Sequence, residues 1–159
     1  MKPTTAAVLL KTVLAVSALA ILLVACWGVP QYMEHVTYVR PSLSPWVIPM
    51  IAYGCLIAIP VLLAIGLLWR VFGTIPENGA FSMANARRFR IIAWLAAGDL
   101  ALVLALAAFL LISGVIPAFI LLCLIAAVYI GAVAVIVFLV LGALVRNAAQ
   151  LKQDSELTI

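Results

Sequence analysis

Apolar residues fill this chain in four long runs, near 12–29, 46–72, 91–113 and 117–145. Each is long enough to cross a bilayer as a helix, which takes about 20 apolar residues. Pro30 closes the first run. Residues 31–45 then read as a polar loop carrying Glu34, His35 and Arg40, with Tyr32, Tyr38 and Trp46 as interfacial aromatics. The second run is long, about 40 Å as a helix. It must tilt or bend, and Pro60 near its middle favours a kink or the opening of a site. The longest polar break, 73–90, follows. Pro76, Asn78 and Gly79 are turn formers. Ser82 stands where its hydroxyl can cap the N–H of Ala84 or Asn85. From Met83 nothing breaks the helix until Gly114, so the third helix starts in water and enters the membrane near Ile91. Ser113-Gly114 and Pro117 make a short turn into the fourth run, and residues 146–159 form a polar tail. The pattern predicts an all-α fold: one polytopic membrane domain, a four-helix bundle running antiparallel, up-down-up-down.

Composition agrees. The chain has 159 residues, 69% hydrophobic and 9% charged, with mean hydropathy +1.36. Soluble domains hold about 45–50% apolar and about 25% charged residues. The net charge of +4 matters through its distribution, and it does not point to nucleic acid. With the N-terminus inside, the cytoplasmic side takes Lys2, Lys11, Arg70, Arg87, Arg88, Arg90, Arg146 and Lys152, and the outer side only Arg40. That asymmetry places both termini of a multi-pass membrane protein in the cytoplasm. Trp27 and Trp46 are then expected at the outer interface, Trp69 and Trp94 at the inner one. The arginines of the middle break would meet anionic lipid headgroups.

Little else carries chemistry. Cys26, Cys55 and Cys123 lie in apolar runs without a CxxC pair, and read as small apolar core residues. Leu23-Val24-Ala25-Cys26 also fits the short pattern that precedes a lipidated cysteine, although Trp27 is an unusual follower. A retained helix is the expectation. His35, beside Met33 and Glu34, could bind a metal but reads as a solvated residue. There is no Ser/His/Asp set, no phosphate-cradling glycine loop and no carboxylate pair within one membrane leaflet. We therefore expect no enzyme, no cofactor and no metal.

Asp99 is the exception. It is the only carboxylate inside an apolar run, about 13 Å beyond Arg90 along a helix. Such a group costs at least ~2.5 kcal/mol to insert. It should face other helices, neutral or hydrogen-bonded. Counting back from the turn near 115–116 sets Asp99 opposite Ala132, within reach of the Tyr129 hydroxyl. A proton or cation role for Asp99, as in small coupled exporters, stands against a structural hydrogen bond. Those exporters resemble one another in a glutamate of the first helix, which this chain lacks. Ala93, Ala97, Ala101 and Ala105 form a small-residue stripe, and Ala127 and Gly131 another; both suit packing within the chain more than a dimer.

The middle break, read with the tail, resembles a bacterial domain-of-unknown-function family of small four-span membrane proteins. Its members are often encoded beside an Xre-type helix-turn-helix regulator. The resemblance rests on Asn78-Gly79, Phe81, Asn85, Arg88 and Arg90, and on Leu151, Asp154 or Glu156, and Leu157-Thr158-Ile159. Phe89 and Ser155-Glu156 depart mildly, where leucine and an acidic pair are expected. The resemblance implies a four-helix bundle with cytoplasmic termini, no known activity, and a link to a transcription regulator. The expected function is thus a non-enzymatic membrane protein whose loop and tail dock that regulator. Phe81 and Asn85 would anchor it, and Arg88 and Arg90 would pair with its acidic groups. Alternatively Leu157 and Ile159 fold back to order the loop. A small proton- or ion-coupled transporter using Asp99 and the Pro60 kink is the competing reading.

Overall fold

The structure, a computed structural model, describes residues 3–76, 79–113 and 118–157. In chain order it holds α1 (Pro3–Leu23), a π-helical turn (Val24–Gly28), α2 (Val29–Val39), a 3-10 stretch (Pro41–Trp46), α3 (Val47–Gly73), α4 (Met83–Ser113) and α5 (Ala118–Leu157). The described residues contain no strand. Four segments are long and apolar enough to cross a membrane: Thr4–Val39, Pro41–Gly73, Met83–Ile112 and Ala118–Gln153. The fold is an all-α four-helix bundle.

Pro30 does not end the first helix, as its ring would suggest. The preceding turn is π-helical, and the Val29 N–H donates to the Val24 carbonyl. That wider turn makes room for a ring which would otherwise clash one turn back. Residues 31–39, read from sequence as loop, are therefore helix. They form an amphipathic segment with Met33 buried and Gln31, Glu34 and His35 exposed. Nor does α5 stop near Val145. It runs for 40 residues to Leu157, about 60 Å, twice the thickness of a hydrocarbon core. Of the expected tail, residues 146–157 are the end of this helix. α3 passes through Pro60 without a break.

The helices pack in chain order. Among the described residues, α1 and α2 meet α3, α3 meets α4, and α4 meets α5, with no contact between α1 and α5. Each neighbouring pair is antiparallel. Lys11, near the start of α1, lies 5.6 Å from the Trp69 ring near the end of α3. Trp46, just before α3, lies 5.2 Å from Phe109 near the end of α4. Midway, the Tyr53 hydroxyl donates to the Leu102 carbonyl at 2.9 Å. On α5 the contact seam runs through Gly131, Phe138, Gly142, Val145 and Ala149, alternating three- and four-residue steps as in a coiled coil. Gly131 faces Leu100, and Gly142 faces Ala86 and Phe89. This register puts Asp99 opposite Ala132, as counted from sequence.

Packing is tightest at one end, where Val71, Ala86, Phe89, Ile92 and Val145 make a buried cluster. Elsewhere the outside is apolar: Ile48 is 79% exposed and Ile112 88%. In water that surface would be costly, at about 25 cal/mol per Å²; in lipid it is the expected face. Cys26, Cys55 and Cys123 lie on it, exposed and unpaired, so they are not core residues. The alanine stripe leaves the interface as well. Ala93 is buried, Ala97 half-buried, and Ala101 and Ala105 exposed. Positions four apart drift about 40° per step on a helix of 3.6 residues per turn. Trp27 is also displaced from its expected level. Val29 packs against Gly54, so Trp27 lies about ten residues, or about 15 Å, from the level of Trp46.

Candidate functional site

The bundle gathers its polar chemistry at the end that carries the α3–α4 connection, here called the loop end. Its centre is Asn85. The spacing Asn85, Phe89, Ile92 places this asparagine on the inward face of α4, and it is 0% exposed. An amide buried there must be satisfied or it costs about 1–3 kcal/mol. Its nitrogen and its oxygen are both bonded. Nδ2 donates to Thr74 Oγ1 at 2.8 Å, to the Gly79 carbonyl at 3.1 Å and to the Ala80 carbonyl at 3.1 Å. Oδ1 accepts from Arg88 Nη1 at 2.7 Å. The amide can point only one way, because carbonyl oxygens cannot face its oxygen.

Local hydrogen bonds set up this clasp. α3 ends as Thr74 N–H and Oγ1 both donate to the Val71 carbonyl. The Gly79 N–H returns to the Thr74 carbonyl at 3.0 Å, closing the turn. Ser82 caps α4: its Oγ accepts the Asn85 N–H at 3.3 Å, and its carbonyl accepts the Ala86 N–H at 3.0 Å. The cap is the one read from the sequence. Asn78 of the expected turn lies outside the described residues.

The motif residues therefore divide. Asn85 cannot anchor a partner, since it is buried and its N–H donors are taken by Thr74, Gly79 and Ala80. Arg88 is half-buried and committed to Asn85. Gly79 is part of the turn. Phe81 is left 61% exposed, with Met83 exposed beside it, and Arg87 and Arg90 are exposed on α4. Leu157 ends α5, while Thr158 and Ile159 lie outside the described residues. Thr74 was missed in the sequence; a threonine just past the last turn of a helix was its only signal.

Arg90 belongs to a second feature, an open groove of about 410 Å³ between α4 and α5. Leu139, Gly142, Ala143, Arg146, Asn147 and Gln150 complete its lining.

Asp99 sits far from this end, at mid-helix. Its Oδ1 is buried and has no hydrogen-bond partner. Tyr129 does not supply one. It is 70% exposed on the outer face of α5, off the seam that Gly131 and Phe138 define. The nearest tyrosine of α3 in this region, Tyr53, gives its hydroxyl to Leu102 instead. No group of three His, Cys, Asp or Glu comes together among the described residues.

Four apolar helices with an apolar exterior define a multi-pass membrane protein. More particularly, the chain belongs to the family described as "Protein of unknown function (DUF2975)", whose model matches residues 2–159. No curated protein and no solved structure matches it.

Proposed function

We propose that this is a non-enzymatic protein of a bacterial inner membrane, with both termini and the α3–α4 loop in the cytoplasm, that docks a partner protein on that loop. The excess of Lys and Arg at the loop end supports this orientation. One observation carries the docking reading. A buried asparagine gives its N–H donors to Thr74, Gly79 and Ala80, and the residues so held lead directly into Phe81, which is exposed. A rigid loop with an exposed aromatic binds without a large ordering cost. The family resemblance suggests a small helix-turn-helix regulator as the partner. The regulator encoded beside this protein should be retained by the purified, detergent-solubilised chain. Phe81→Ser should abolish retention, while Asp99→Asn should leave it unchanged. Equal retention by Phe81→Ser would end this reading.

A second reading, an ion-coupled carrier, is supported by the buried, unpartnered Asp99 Oδ1. Intramembrane carboxylates of this kind often serve ion pathways. Proteoliposomes should then show a proton flux that Asp99→Asn removes; absence of flux in the unmodified protein would dismiss it.

A further inference from the structure

We infer that the groove between α4 and α5 at the loop end is a binding site for a phosphate ester. Two arginines line it, Arg90 from α4 and Arg146 from α5, together with Asn147 and Gln150 of α5. The two helices meet at Gly142, where a side chain larger than alanine would part them. A Cβ there would lie 3.5 Å from the Ala86 carbonyl and 3.6 Å from the Arg90 amide. Neither arginine has a hydrogen-bond or ion-pair partner among the described residues. Nor is a carboxylate among the residues that line the groove.

The lining also changes character along its length. Leu139, Gly142 and Ala143 form the part toward the middle of the bundle. Arg146, Asn147 and Gln150 form the part toward its end. On the α5 side a phospholipid has the same order, with acyl chain toward the core and phosphate at the surface; Arg90 starts at the level of Gly142 and meets that phosphate by extending its long side chain toward the end of the bundle. Guanidinium forks bind phosphate oxygens in bidentate fashion, and basic pockets between membrane helices take anionic headgroups. A soluble phosphate ester offers the same anion without the chain. The inference is independent of the docking of a partner on Phe81.

The test uses the purified full-length chain in detergent, with bound molecules counted by native mass spectrometry. The probes are phosphatidylglycerol, phosphatidylcholine and inorganic phosphate. Phosphatidylglycerol should bind at least about tenfold more tightly than phosphatidylcholine, whose phosphate charge is offset by its own quaternary ammonium, since about two arginine charges are at stake. The double variant Arg90→Gln/Arg146→Gln should lose that preference. Arg87→Gln removes one exposed charge outside the groove and should keep it. Displacement of the lipid by millimolar inorganic phosphate would assign the site to a soluble ester, and resistance to displacement would assign it to lipid; both uphold a phosphate site. Two results would overturn it. One is an unmodified protein that shows neither lipid preference nor phosphate binding, a measurement that needs no variant to fold. The other is a loss with Arg87→Gln as large as with the double variant, which would mean diffuse charge alone.

Discussion

Replacing Asn85 by aspartate keeps the shape of the side chain and removes its two N–H donors. Three acceptors lose their donor: Thr74 Oγ1 and the carbonyls of Gly79 and Ala80. A carboxylate oxygen then faces two carbonyl oxygens at about 3 Å, the separation of the bonds it replaces. Losing two buried bonds costs about 1–1.5 kcal/mol each, and leaving acceptors unmet adds a similar amount. The Arg88 contact becomes a charged pair and returns about 1–2 kcal/mol. The net is about 3 kcal/mol against the closed loop, on the order of 100-fold in its opening equilibrium. Hydrogen exchange reads this directly. The Gly79 and Ala86 amides, bonded to Thr74 and Ser82, should exchange on the order of 100-fold faster in Asn85→Asp. Amides between Ile92 and Ala101, inside α4, should not change. If Gly79 and Ala86 keep their protection within about threefold, the clasp does not hold the loop and the reasoning fails.

Other substitutions test the bundle itself. Tyr53→Phe removes the hydroxyl bonded to Leu102 and should lower unfolding stability in detergent by about 0.5–1.5 kcal/mol. Gly142→Ala should be tolerated, whereas Gly142→Leu must push against the backbone of Ala86 and Arg90. It should cost about 1–3 kcal/mol, read as a lower thermal midpoint. Asp99→Leu removes a buried oxygen that has no partner. It should raise stability by about 1–3 kcal/mol, and a lower midpoint would mean that the carboxylate has a structural bond.

The long helices were legible because their signal is length and hydropathy, which tertiary packing does not alter. The start of α4 was legible too, because a serine cap acts within three residues. The register of α4 against α5 followed from counting, since a short turn leaves two straight helices little freedom. The errors have local causes. Pro30 was read as a stop because an ordinary α-turn cannot hold it; the π-turn that accommodates it has no clear sequence mark. Asn85 was grouped with exposed motif residues although its spacing to Phe89 and Ile92 already put it inside. Its partners, two carbonyls and Thr74, are invisible in sequence because every residue has a carbonyl. The Asp99–Tyr129 pair failed for rotational reasons. Adjacent levels on two helices do not ensure facing side chains, and Tyr129, two residues from Gly131, lies about 160° around the helix from the seam.

α4 ties these features together, and its packing bears on whether they communicate. Its first turns carry the Ser82 cap and the Asn85 clasp, Arg90 flanks the groove, and Asp99 lies further in. Between clasp and groove stand Phe89 and Ile92, part of the cluster shared with Val71 and Val145. Ile92 is 0% exposed. Coupling between two sites requires an element with two arrangements that both ligands bias. The structure shows one, held by a fully buried isoleucine and a buried asparagine bonded through both its nitrogen and its oxygen. A partner on Phe81 and an anion at Arg90 should therefore bind independently, each leaving the other's affinity unchanged. Arg88 makes the separation sharper. By serving Asn85 it is withdrawn from both surfaces, so the charges of the middle break divide into Arg87 beside the loop and Arg90 in the groove. What reads in the sequence as one basic motif is, in three dimensions, a structural clasp with an unrelated site on either side.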